Sequence, residues 1–403
     1  MLRTLSVVRP YPMRESVPAF PKSRLALFYA LFFALTGCIM PFWGLYLQHL
    51  GFGADEIGAL IASFSAVRIF APNVWAWLGQ RLDSPLQMVR AAGVLTAICF
   101  SAIWIAQGFW QVLAVMALYG FFWSATLPQY EVLTMRLIDN CLEQYSRIRL
   151  WGSIGFVVAV LVVGWLLDYI SVRWLPLLML TLMIGILLNS FGIPDYRRSP
   201  SGNVVRASLL PLLRQPVVLA FVGVNFLLQV SHGPYYTFYS IYLQGLGYSG
   251  AAMGGLWALG VIAEVLLFWK IGFFLRQASL RSWLLWSLGL TALRWMMVAA
   301  LPDSLVVMLV AQLFHAFSFA MLHAVCIRYV PVLFPDSLQG QGQALYSSVG
   351  FGLGGALGAW GSGQLWGMGG LPVFMLAALA ALLAWVIAWK GLTQVEANPS
   401  DPH

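Results

Sequence analysis

Long apolar runs broken by short turns of Gly, Pro and charge recur almost without pause from residue 24 to residue 389. Each helix needs about 20 apolar residues to cross a hydrocarbon core of about 30 Å. Twelve such helices are predicted, at 24–47, 56–79, 88–106, 111–135, 149–168, 174–192, 216–243, 250–270, 281–300, 304–328, 341–365 and 371–389. Composition agrees: 61% of residues are hydrophobic and 9% charged, against roughly 45–50% and about 25% in a soluble domain. A water-soluble fold is excluded. The net charge of +8 could suggest nucleic acid in a soluble protein. Here the positive charge lies in short loops, where membrane orientation explains it better and no nucleic-acid partner is expected.

With both ends on one side, nineteen of the twenty-two Lys and Arg fall on that side or at its helix ends. Arg173 falls on the other side with Asp55, Glu56, Asp168 and Asp303, while Arg68 and Arg294 lie within spans. The expected topology therefore has both termini in the cytoplasm. Residues 1–23 form a tail with Arg3, Arg9, Arg14 and Lys22 but no cleavage signal, so the first span is expected to remain as an uncleaved anchor. Residues 193–215 are basic and rich in Pro and Ser, as expected of a cytoplasmic linker between six-helix bundles at 24–192 and 216–390, with 391–403 as a second tail. The linker's SLLPLL could rest at the membrane interface. Cys38, Cys99, Cys141 and Cys326 have neither metal nor redox spacing and read as small apolar residues.

The two halves echo each other. YLQHLGFGADEIGALIASFSAVR at Tyr46–Arg68 lies over YLQGLGYSGAAMGGLWALGVIAE at Tyr242–Glu264 at an offset of 196, and SIGF at Ser153 over SVGF at Ser348 at an offset of 195. Two related bundles about a pseudo-two-fold axis are the internal symmetry of alternating-access transporters. The repeat places Arg68 and Glu264 at equivalent positions, and Glu131 opposite His323.

Ionisable groups at membrane depth are costly and persist where they pair, line water or hold a substrate. Glu131 and Arg149 flank a charged turn and either staple two helices or serve a path. Arg68 sits too deep to snorkel and needs an acid partner or water. Pro72 and Pro128 lie one turn from Arg68 and Glu131 and can open local irregularities. Glu264, Arg294, His315 and His323 occupy spans eight to ten, the histidines eight residues apart and near one helical face. An acid, an arginine and a titratable imidazole suffice for proton coupling; a polar network fastening spans eight to ten is the alternative. His232, Tyr235, Tyr236 and Tyr239 in span seven, with Phe42, Trp43 and Tyr46 in span one, suit either an aromatic solute or an interfacial belt. The Gly350, Gly354, Gly358 stripe in span eleven reads as close packing. No metalloprotease, phosphate-loop, CxxC or nucleophile motif is present, so no enzyme, metal site or cofactor is expected, and a gradient is the expected energy source.

PxxE followed by RLWGSIGF, LGVIAEVLLF around Glu264 and HAFSFAMLHAVCIRY around His315 and His323 together resemble the major facilitator superfamily, in particular the branch holding lactose permease and the bacterial 3-phenylpropionate permeases. The resemblance covers about Leu25 to Trp389. It implies an all-α membrane protein of twelve helices in two pseudo-symmetric six-helix bundles, around a cavity exposed to either side in turn. By the lactose permease pattern, Glu131 and Arg149 hold solute hydroxyls, Phe156 stacks on the ring, and Glu264, Arg294 and His315 join solute and proton handling. That pattern departs at Ser318, where the proton-carrying acid should stand, and around His232 and Tyr235 in span seven. The phenylpropionate permease pattern supplies an arginine at Arg68, the Tyr235–Tyr236 pair and both span-ten histidines. The superfamily's turn between spans two and three is degenerate here, as GQRLDSPLQMVR, retaining Asp83.

These readings converge on a bacterial inner-membrane secondary transporter, a proton symporter of a small organic solute, working as a monomer. An aromatic monocarboxylate is the first expectation, since Arg68 and Arg149 outnumber Glu131 in the amino-terminal half. Sugar or nucleoside symport, proton-driven efflux, and a non-transporting structural or sensing protein are the alternatives. The expected solute residues are Arg68, Glu131, Arg149, Phe156, His232, Tyr235 and Tyr236; Glu264, Arg294, His315 and His323 are expected to handle the proton.

Overall fold

The computed structural model describes residues 21–79, 81, 84–195 and 209–393, and among them every regular element is helical. Asp83, the outer parts of both tails and most of the 193–215 linker, including Ser208 of SLLPLL, lie outside the described residues. Among the described residues, eleven helices are long and apolar enough to cross a membrane: Ser23–His49, Ala54–Gly79, Pro85–Trp104, Phe109–Leu137, Leu142–Leu167, Val172–Ser190, Pro216–Gly245, Gly250–Trp269, Leu280–Ala300, Leu305–Leu333 and Gly370–Gly391. The eleventh crossing in chain order, 339–365, is assembled from Gln339–Ser347, a π-helical stretch Ser348–Gly354 and Gly355–Leu365. Twelve spans, numbered here in that order, follow.

Two boundaries differ from the sequence reading. Span five starts at Leu142, so Arg149 lies two turns inside the helix instead of at its mouth. Glu143 in the first turn accepts from Arg147 at 2.7 Å, an i,i+4 pair that supports helix in the polar region where apolar periodicity gives no signal. The reversal before it is confined to four residues because Asp139 and Asn140 adopt φ of 56° and 58°, a left-handed conformation these side chains tolerate. Span ten is the second difference. It runs on to Leu333 through Pro331, and it widens into a π-helix at Ala316–Met321.

The repeat has a backbone cause. Gly51 and Gly247 end spans one and seven at φ of 90° and 82°, a backbone conformation that strains any residue with a side chain, and the next amides reach back to Leu47 and Leu243 carbonyls. These are matching glycine caps, which explains why LG plus an aromatic recurs at both turns.

Glycines set how closely the halves approach. A Cβ at Gly58 of span two would lie 2.7 Å from Gly363 Cα of span eleven, one at Gly164 of span five 2.5 Å from the Gly250 carbonyl of span eight, and one at Gly44 of span one 2.7 Å from the Thr237 carbonyl of span seven. All three approaches fall in the half of the bundle away from the termini. There Asp168, just past span five, accepts from the Gly250 and Ala251 amides at 2.6 and 3.0 Å, capping span eight across the interface. The halves are in close contact on that face, while Arg68, Glu264 and His323, deeper in the spans, keep part of their side chains exposed. Within the carboxy-terminal half the Gly354 and Gly358 stripe seats span eleven on the span-seven backbone at Phe226 and Val230.

Candidate solute and proton site

Arg294 of span nine is fully buried, its guanidinium carbon 4.3 Å from the ring centroids of both Tyr235 and Trp295. A charge so placed must be paired or hydrogen-bonded, since no water reaches it. Span ten supplies the acceptors: Nη1 donates to His315 Nδ1 at 2.8 Å and to Ser318 Oγ at 3.0 Å, and Nη2 to Gln312 Oε1 at 3.3 Å. Guanidinium has only donors, so Nδ1 of His315 is the bare nitrogen and Nε2 holds the hydrogen. That Nε2 lies 2.7 Å from Oε1 of Glu264 in span eight. Arginine and glutamate therefore meet through the imidazole between them. Glu264 keeps 13% of its side chain exposed, so one end of the chain reaches open space while the other is sealed.

Ser318 stands where the resemblance calls for an acid. It offers Arg294 a hydroxyl acceptor and no charge. Gln312, which sequence reasoning missed, is fully buried and joins Arg294 to span seven, accepting from the Tyr235 hydroxyl at 3.1 Å and donating to Tyr239 at 2.6 Å. A neutral amide in an apolar run carries no charge signal. Its place three residues before His315, on the same helical face, was the available clue.

In the amino-terminal half, no direct ion pair joins Glu131 and Arg149 among the described residues. Glu131 accepts from the Tyr145 hydroxyl at 3.2 Å, and Arg149 lies over Phe33 with its guanidinium carbon 4.0 Å from the centroid. Both are half-buried. Phe156 is buried against span one, its carbonyl 3.0 Å from a Cβ built at Gly37.

Arg68, fifteen residues into span two, is exposed at mid-depth and faces the other half. Its guanidinium carbon lies 5.9 Å from the Phe351 centroid, it interacts electrostatically with Tyr236, and no carboxylate pairs with it among the described residues. Tyr236 in turn interacts with Glu264, so one hydroxyl stands between the amino-terminal cation and the carboxy-terminal acid. Phe351 sits in the π-helical part of span eleven, opposite that of span ten. In a regular helix His315 and His323 would be about 80° apart at about 100° per residue; the wider π turn rotates less per residue and keeps them in one column through Phe319. The His315 and Phe319 centroids are 5.8 Å apart and those of Phe319 and His323 6.3 Å, the latter planes within 8°. Wide turns of this kind recur at functional sites.

The structure thus brings Arg68, Tyr236 and Glu264 to one open region, with Glu131 and Arg149 half-buried in the amino-terminal half. His232 and Tyr235, expected among the solute contacts, are each 1% exposed. Tyr235 packs on Arg294, and His232 is held by the Leu228 carbonyl at 2.8 Å with its ring edge-on to Trp295. His323, expected with the proton groups, lies outside their hydrogen-bonded set and contacts Tyr346 instead. Trp43 and Tyr46 are buried in the amino-terminal core, Trp43 donating to Met116 Sδ at 3.4 Å, so neither forms an interfacial belt.

Comparison with known proteins gives this geometry a family. The MFS_1 like family model matches residues 22–376. The chain is 30% identical over 377 residues to the "Probable 3-phenylpropionic acid transporter" of Escherichia coli (strain K12), covering 91% of this chain and 97% of that protein. It is 28% identical to the "Maltose permease" of Geobacillus stearothermophilus, over 83% of this chain and 84% of that one. In fold it matches a crystal structure of a mutant of the nucleoside transporter NupG with a TM-score of 0.81 at 19% identity, covering 92% of this chain and 98% of that chain. The POT family transporter PepTSo follows at 0.74 and 10%, covering 93% and 98%. The chain belongs to the MFS_1 like family and is a membrane transporter of the major facilitator type, not an enzyme.

Proposed function

We propose that this transporter is a proton symporter of an aromatic monocarboxylate, resident as a monomer in a bacterial inner membrane with both termini in the cytoplasm. The observation that carries the reading is Arg68, an exposed cation at mid-membrane, flanked by Phe351 and Tyr236, and without a carboxylate partner among the described residues. Leaving such a charge unpaired costs stability that a structural residue would not incur; an acidic solute supplies the missing partner. The guanidinium offers two parallel hydrogen bonds to a carboxylate, and the neighbouring rings offer an apolar wall. The name of the Escherichia coli relative supports the same solute class.

Proton coupling is assigned to Glu264 with His315 and Arg294. Because Arg294 occupies Nδ1 of His315, a second proton on that imidazole would break their contact, which leaves the carboxylate to take the transported proton. Glu131 and Arg149 are assigned to the solute path of the amino-terminal half. Arg68→Ala should weaken binding of 3-phenylpropionate to the purified chain by roughly ten- to a hundredfold, the worth of about 1.5–3 kcal/mol for a charge-assisted hydrogen bond, and Arg68→Lys by less. Unchanged affinity in a monodisperse Arg68→Ala protein would overturn the assignment. Sugar symport is the second reading, favoured by the likeness to maltose permease; competition by maltose and not by the acid would select it.

A further inference from the structure

A second polar pair closes the open region on the carboxy-terminal side. His323 Nδ1 and the Tyr346 hydroxyl lie 2.9 Å apart, joining spans ten and eleven just outside the two π-helical stretches. The imidazole stacks on Phe319, and its centroid is 6.5 Å from that of Phe351, a ring that also lies 5.9 Å from the Arg68 guanidinium carbon. His323 is half-buried, and its Nε2 is neither buried nor engaged by another described residue. Tyr346 therefore fixes the ring while its second nitrogen faces open space.

We infer that His323, oriented by Tyr346, reads a hydroxyl on the aromatic ring of the solute whose carboxylate Arg68 holds. The inference rests on the aryl-acid reading above and narrows it to ring-hydroxylated arylpropionates. An acid anchored at Arg68 lays its ring along Phe351 and Phe319, and the far edge of that ring comes to His323. If the Tyr346 hydroxyl donates to Nδ1, Nε2 carries a hydrogen; if Nδ1 donates, Nε2 is an acceptor. A phenolic hydroxyl donates and accepts, so it satisfies either arrangement. A bare ring would instead displace water from Nε2 and leave it unpaired. Engagement of Arg68 on span two and His323 on span ten by one molecule also ties the halves together.

The test is titration of the purified full-length chain with 3-phenylpropionate and its three monohydroxylated ring isomers. At least one isomer should bind about two- to tenfold tighter than the parent acid. His323→Phe, which keeps the stack and removes the nitrogens, should bring that ratio to about one, and Tyr346→Phe should lower it by releasing the imidazole. Should His323→Phe not purify as a monodisperse protein, Tyr346→Phe decides. Binding through Arg68 with equal affinity for all four acids, or a ratio kept in the variants, overturns this inference alone. Failure of every acid to bind, or binding indifferent to Arg68→Ala, removes the aryl-acid reading and this inference together.

Discussion

Glu264 differs from every other acid in the spans by having one oxygen tied to a neutral imidazole and part of its side chain open to the cavity. Replacing it with Gln keeps an oxygen for His315 Nε2 and the side-chain shape, so the Arg294 network should survive. The amide cannot take up a proton. Glu264→Gln proteoliposomes should therefore lose accumulation driven by an imposed pH gradient while still exchanging labelled solute for unlabelled. Normal gradient-driven accumulation by this variant would move the proton to Glu131. Arg68, Glu264, Arg294 and His315 were legible in the sequence because a charged or titratable residue in a long apolar run is conspicuous. Gln312 and Tyr346 were not, since neither breaks the hydropathy pattern and their importance arises only when separate spans meet. His232 and Tyr235 show the converse: their residue types suit a solute site, but the rotation of span seven turns them onto Arg294 and Trp295.

Among elements, span ends join the two halves. Asp168 holds the first amides of span eight from the other half, where a carboxylate also meets the positive end of the helix dipole. The contact borders a recess of about 420 Å³ that also meets Gln48, Ser171 and Gln244, so water competes and its worth is that of a helix cap, about 0.5–2 kcal/mol. That suffices to shift a two-state balance by roughly two- to thirtyfold. With spin labels at exposed Ser171 and Gln244, Asp168→Ala should add a longer-distance population absent or minor in the parent protein. An identical distance distribution would mean that the glycine seams alone keep this face shut. The span count was readable from apolar length, whereas the π-helical stretches were not. Ala316–Met321 and Ser348–Gly354 contain ordinary helix residues and glycines, and the wide turns appear only when spans ten and eleven pack on their neighbours.

For the whole molecule, sidedness links the cavity to the cell. The closest inter-half approaches lie away from the termini, and we propose that the terminal face is the side open in this conformation. By the distribution of Lys and Arg, that face is expected in the cytoplasm. The protein carries its own reporter: Cys141 stands just before span five, in the turn between spans four and five on the terminal face, and is partly exposed, while Cys38 and Cys326 are buried. In a chain with Cys38, Cys99 and Cys326 replaced by Ser, a membrane-impermeant maleimide should label Cys141 in inverted membrane vesicles and not in intact cells. Labelling from outside would invert the topology, turn the open cavity to the exterior, and reverse the direction in which Arg68 first meets its solute. Labelling from inside fixes this structure as the state that releases an imported solute or captures an exported one, and in either case the Asp168 contact must break for the opposite face to open.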